Sequence, residues 1–241
     1  YVKFQLFKTK ELFNSKLNPK YKKIFKNFKK REFTFNQWKN LINYSKKIRI
    51  KLFFSVFDNE SIDTLKNLKL NIVKIPSGEI TNLELLKQIN KRQFKVILST
   101  GMATIHEIKK AVNILKDCEV IILHCISEYP AKRSNLSFIN FLRREFPKNQ
   151  VGLSDHSNEI YTPAMSLYHG ANYIEKHFTF NKNIKLGDHH MSLDPFELKN
   201  MVELIRYTEK NLKRKKIKII SNKERNLKKL ARKAIYLAKN K

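Results

Sequence analysis

Short runs rich in Val, Ile, Leu and Phe recur along the chain, each followed by a turn and a longer amphipathic stretch. The runs cover residues 1–5, 50–56, 71–75, 95–99, 120–125, 151–154 and 173–178. Most are continuously apolar rather than alternating, the pattern of strands covered on both faces. Helix start signals stand between them. Thr81-Asn-Leu-Glu84 and Thr104-Ile-His-Glu107 fit the capping box, in which a Thr side chain and a Glu three residues on satisfy free backbone N–H groups. Asp194 ahead of Pro195 predicts a third start, because proline's fixed φ suits the first helical position. Ile108, Val112 and Leu115 then line one face at helical spacing.

Strands alternating with such helices predict βαβ units and a parallel sheet. About seven units are present, close to the eight of a TIM barrel. No Gly-x-Gly-x-x-Gly follows any strand, so a dinucleotide-binding sheet has no support. The predicted fold is an α/β TIM (β/α)8-type barrel. Residues 1–215 are assigned to the barrel and 216–241 to a basic helical or linker tail.

Composition narrows the class. With 241 residues, 41% of them hydrophobic, and only 5 Gly and 6 Pro, the chain can build a core and is not a disordered or collagen-like polymer. No uncharged apolar run reaches the roughly 18 residues of a membrane span, so no membrane partner is expected. Cys118 and Cys125 cannot form a disulfide framework, and a reducing, cytoplasmic setting follows as the expectation. The net charge of +29 invites a nucleic-acid reading. The bases are spread along the whole chain, from Lys20 to the 213–216 run, and give no localised footprint. No specific nucleic-acid partner is expected.

Barrel chemistry sits at the carboxyl ends of strands. Those ends carry Lys3 and Gln5; Ser55; Lys74, Ser77 and Glu79; Ser99; His124, Ser127 and Tyr129; Ser154 and His156; and Glu175, Lys176 and His177. Lysines and hydroxyls together suit a phosphorylated, carboxylated ligand. His124, inside an apolar strand beside Cys125, reads as a hydrogen-bonded structural histidine. His156 and His177 end consecutive strands and should face each other, a pair that suits a divalent transition metal.

Five segments carry a family resemblance: Lys74-Ile-Pro-Ser-Gly-Glu-Ile-Thr-Asn-Leu83, Ile97-Leu-Ser-Thr-Gly-Met-Ala-Thr104, His124-Cys-Ile-Ser-Glu-Tyr-Pro130, Val151-Gly-Leu-Ser-Asp-His156 and Ile174-Glu-Lys-His-Phe-Thr179. In this order they resemble the sialic acid synthase family, which makes N-acetylneuraminic, legionaminic and pseudaminic acids. The resemblance implies a transferase that condenses phosphoenolpyruvate with an N-acyl hexosamine of the N-acetylmannosamine type, releasing phosphate. It implies phosphoenolpyruvate binding by Lys3, Ser55, Lys74, Ser77, Ser99, Ser127 and Ser154. It implies a divalent metal, manganese ahead of magnesium or cobalt, on His156 and His177. Acceptor contacts would come from Gln5, Glu79, Tyr129 and Asp188, with Lys3, Lys74, Glu79, His156 and His177 as the catalytic set.

The chain also departs from the family pattern. The family's N-terminal Glu-Ile-Gly-x-Asn-His strand is missing, so the resemblance implies a barrel lacking the first βα unit; Ser55 and Val56 replace Thr and Pro, and Leu186-Gly187-Asp188 replaces Gly-Pro-Asp. The C-terminal antifreeze-like domain, which completes the partner's sugar site in a homodimer, is not in this sequence. Three alternatives stay open: another phosphoenolpyruvate-condensing aldose synthase, a truncated inactive homologue, and a nucleic-acid-binding protein.

Overall fold

The computed structural model describes residues 1–13, 21–185, 187–212 and 219–233. Its strands are β1 (Val2–Leu6), β2 (Leu52–Val56), β3 (Ile72–Ile75), β4 (Lys95–Ser99), β5 (Glu119–Cys125), β6 (Gln150–Asp155) and β7 (Tyr173–Lys176). They form one seven-stranded sheet in sequence order, and every neighbouring pair is parallel. Strictly sequential order is barrel order; a doubly wound sheet would reverse direction partway. β1 and β7 share no ladder in that order, yet Lys3 on β1 reaches Glu175 on β7 at 2.7 Å. The sheet is therefore curled until its first and last strands meet through side chains. This is the expected barrel-type α/β fold with seven strands.

The helices among the described residues are α1 (Thr9–Leu12), α2 (Tyr21–Lys29), α3 (Phe35–Lys47), α4 (Asn59–Asn67), α5 (Leu83–Lys91), α6 (Ile105–Ile114), α7 (Ser137–Glu145), α8 (Tyr161–Ser166), α9 (Pro195–Leu212) and α10 (Asn222–Ala231). The capping box at Thr104 forms as predicted, with Glu107 answering it. Asp194 Oδ1 accepts from the Glu197 backbone N–H at 2.8 Å, so α9 starts at Pro195 as read. The predicted box at Thr81 does not form. Asn82 is the cap instead, its Oδ1 accepting from Leu85 N at 3.2 Å while its Nδ2 donates to Glu79. An Asx side chain satisfying both sides of the turn moves the helix start one residue on. α10 falls within the expected basic tail, whereas the expected boundary at 215/216 lies outside the described residues.

Side chains alternate across each strand, and this alternation builds two interiors. Leu6, Phe54, Val73, Ile75, Val96, Leu98, Ile122, Val151 and Leu153 face the helices. There they pack in one cluster with Ile62, Leu65, Leu86, Ile89, Ile108, Leu115, Ile139 and Leu142. The intervening residues face the inside of the curl. Toward the carboxyl ends that inner set turns polar: Lys3, Ser55, Lys74, Ser99, Cys125, Ser154 and Glu175. Among the described residues, no helix is long and apolar enough to cross a membrane.

Candidate active site

Three charged side chains from three strands meet at the inner face. Glu175 Oε1 lies 2.7 Å from Lys3 Nζ, and its Oε2 lies 3.3 Å from Lys74 Nζ. Lys74 is 2% exposed and also donates to Ser99 Oγ at 2.5 Å. Burial alone would raise the Glu175 carboxyl; Lys74 and Lys3 outweigh it and hold the group at about 2. Burial in turn pulls the Lys74 ammonium below its ordinary range, partly offset by Glu175. Two lysines share one carboxylate, which leaves one positive charge in excess. Such a cluster is built to receive an anion.

Next to it stands a crowded hydroxyl cradle. Ser77 Oγ accepts from Gly101 N at 3.0 Å and lies 3.7 Å from Cys125 Sγ. A Cβ at Gly101 would come within 2.2 Å of Ser127 Oγ and 2.9 Å of Ser77 Oγ, so any larger residue there would displace these hydroxyls. Ser127 Oγ is buried without a hydrogen-bond partner in the structure. An orphaned buried hydroxyl costs free energy unless a partner answers it, so Ser127 is free to accept or donate to a ligand.

The histidine pair completes the mouth. The rings of His156 and His177 lie 5.3 Å apart; Tyr129 lies tilted at 4.3 Å from His156 and edge-on at 6.2 Å from His177. His156 Nδ1 donates to Ile126 O at 2.8 Å, which leaves Nε2 as the lone-pair nitrogen of the neutral ring. Burial acts to lower the His156 pKa; the neighbouring Cys125 and the Ile126 carbonyl outweigh it and raise the value. His177, with Asp188 at 3.7 Å from Nδ1, is held below the ordinary imidazole range by burial and by His156. The lowered value keeps His177 neutral, the form in which an imidazole can ligate a metal. No group of three or more potential ligands occurs among the described residues; the two imidazoles stand together as a pair.

The remaining expected site residues are less closely gathered. Gln5 is exposed at the end of β1. Ser55 Oγ reaches Phe4 O at 3.4 Å, and Ser154 is buried in register with Cys125 and Glu175. Glu79 accepts from Asn82 Nδ2 at 2.8 Å beside the start of α5. Asp188 is exposed in the loop after β7, two residues beyond Leu186, which lies outside the described residues. Lys176 faces the helices rather than the mouth, in a buried pair with Asp155 at 2.5 Å. His124 is the structural residue expected, its Nε2 donating to Ser134 O at 2.7 Å. Sequence reading placed Glu175 at a strand end without a role, and gave Cys125 none. Their period-two spacing from His177 and from Leu123 was the available signal.

The sequence model described as the NeuB family matches residues 1–217. The chain is 42% identical over 226 residues to N,N'-diacetyllegionaminic acid synthase of Campylobacter jejuni, covering 87% of this chain and 67% of that protein. It is 34% identical to the enzyme of the same name from Legionella pneumophila, covering 86% of this chain and 63% of that protein. In structure it matches N-acetylneuraminic acid (sialic acid) synthetase of Leptospira borgpetersenii, solved with citrate, at a TM-score of 0.85 and 32% identity. That match spans 94% of this chain and 79% of the other. The chain thus spans about two thirds of the length of these two curated relatives.

Proposed function

The chain belongs to the NeuB family, and from that premise we propose that it condenses phosphoenolpyruvate with an N-acyl hexosamine to form a nonulosonic acid. The observation that carries this reading is the Lys3–Glu175–Lys74 cluster, with one positive charge in excess, set beside the orphaned hydroxyl of Ser127. The donor's carboxylate and phosphate lie against Lys3 and Lys74 and the hydroxyls of Ser55, Ser77, Ser99, Ser127 and Ser154. Buried charge-assisted contacts of this kind hold a reactant in line at little reorganisation cost. The acceptor's open-chain aldehyde lies toward His156 and His177, with Gln5, Glu79, Tyr129 and Asp188 around its hydroxyl and acyl groups. A divalent ion on the two imidazoles, manganese first, would supply Lewis-acid polarisation of that aldehyde.

The bond-making step joins the methylene carbon of phosphoenolpyruvate to the aldehyde carbon. Water then adds to the cationic carbon, and phosphate leaves by carbon–oxygen cleavage. Each turnover consumes one donor, one acceptor and one water, and releases one nonulosonic acid and one phosphate. The relatives that bear this activity in their names are longer than this chain, and we read the working unit as a homodimer.

The test is phosphate release and nine-carbon product, followed by mass spectrometry, from phosphoenolpyruvate with N-acetylmannosamine or its diacetylated bacterial analogue. Losing one buried charge-assisted contact costs about 2–4 kcal/mol. Lys74→Ala should therefore lower kcat/KM well over tenfold, while Lys110→Ala on the exposed face of α6 leaves it unchanged. Equal losses in both variants, or no consumption of phosphoenolpyruvate with any such acceptor, would overturn the reading.

A further inference from the structure

Behind the histidine pair, on the helix-facing side of the sheet, lies a second charged cluster that the proposed chemistry does not use. Asp155 precedes His156 and Lys176 precedes His177, so alternation turns both away from the mouth. Their side chains are 0% and 3% exposed, and Lys176 Nζ lies 2.5 Å from Asp155 Oδ2. The ammonium also donates to the backbone carbonyls of Ser157 and Glu159. Asp155 Oδ1 accepts from Ser157 N at 3.1 Å, and Oδ2 accepts from Ser157 Oγ at 2.9 Å. The chain from 155 to 159 is therefore wrapped around one lysine that belongs to the neighbouring strand.

The ladder explains why such a clamp matters. Asp155↔Lys176 is the last register pair between β6 and β7, so His156 and His177 lie just past the point where backbone pairing holds the strands together. A buried ion pair is weak evidence for stability, because desolvation offsets much of the attraction; its better-attested use is to impose one geometry. We infer that the Asp155–Lys176 pair is a positioning device that sets the spacing and direction of the His156 and His177 rings. This inference rests on the proposed function only in taking those rings as ligands. Groups behind ligating histidines affect metal affinity through orientation, without touching the ion.

Removing one charge would leave the other buried and unpaired, so the informative variant removes both: Asp155→Asn with Lys176→Met. The first readout is manganese binding by calorimetry, where affinity should fall at least tenfold. The second needs no metal. In the metal-free protein the imidazole nitrogen resonances of His156 and His177 should move, while those of exposed His106 stay in place. Inorganic phosphate should bind within twofold of the wild type, since Lys3 and Lys74 are untouched. A folded double variant with wild-type manganese affinity and unmoved imidazole resonances would overturn the inference. If that variant does not fold, Ser157→Ala removes a hydroxyl touching both members of the pair, and unmoved resonances there would equally overturn it. Wild-type protein that binds neither manganese nor phosphoenolpyruvate would sink the proposed function instead, leaving the resonance test to stand on its own.

Discussion

Replacing Glu175 by Gln tests the electrostatics of the site most directly, because the two side chains match in shape and differ in charge. The carboxyl is held at about 2 in the folded protein against an ordinary 4.5. A difference of that size corresponds to about 3 kcal/mol of stability where the group is ionised in both states. The side chain is only 19% exposed, so solvent screening takes little from this figure. The sign follows from the direction of the shift. A depressed carboxyl contributes fully above its unfolded value and loses that contribution as pH falls through the folded one. Gln stands in for the protonated acid at every pH. Urea unfolding at pH 7 should therefore find Glu175→Gln less stable by about 3 kcal/mol, which for a chain of this size is a melting point lower by about 6–12 °C. The gap should hold down to about pH 5 and then close progressively toward pH 2. A variant as stable as the wild type at pH 7 would refute the reasoning. So would a gap that stays constant from pH 7 to pH 3, because that would mean lost packing rather than lost charge.

Two further outcomes follow from the same geometry. Gly101→Ala places a methyl 2.2 Å from Ser127 Oγ and should weaken phosphoenolpyruvate binding at least tenfold by calorimetry; unchanged affinity would remove the hydroxyl cradle from the donor site. His124→Ala breaks a buried 2.7 Å hydrogen bond to Ser134 O and should cost about 1–3 kcal/mol in urea unfolding while the folded protein keeps its kcat; a selective loss of kcat would make His124 part of the chemistry after all.

Much of the architecture was legible from local pattern. Strand runs, the Thr104 capping box and the Asp194–Pro195 helix start depend on residues within a few positions of one another, and each appears where its chemistry demands. The local reading failed at Thr81, where Asn82 could satisfy the turn on both sides and the Thr could not. The segments that carry the motifs end at one mouth, since all seven strands are parallel and lie in one sheet.

What lay beyond the sequence was the direction and partner of each side chain. Lys74 and Lys176 look alike in a lysine-rich chain, yet one lies inside the curl beside Ser99 and the other faces the helices against Asp155. Alternation says that neighbours point opposite ways, but the side facing inward is set by how the sheet coils. Glu175 shows the limit most plainly. It becomes the shared counter-ion of Lys3 and Lys74 because curling carries β7 round to β1 and across to β3, over separations in sequence that no local pattern spans. A sequence can state which groups a strand end carries; only the curl of the sheet decides which of them neutralise one another and which are left to bind.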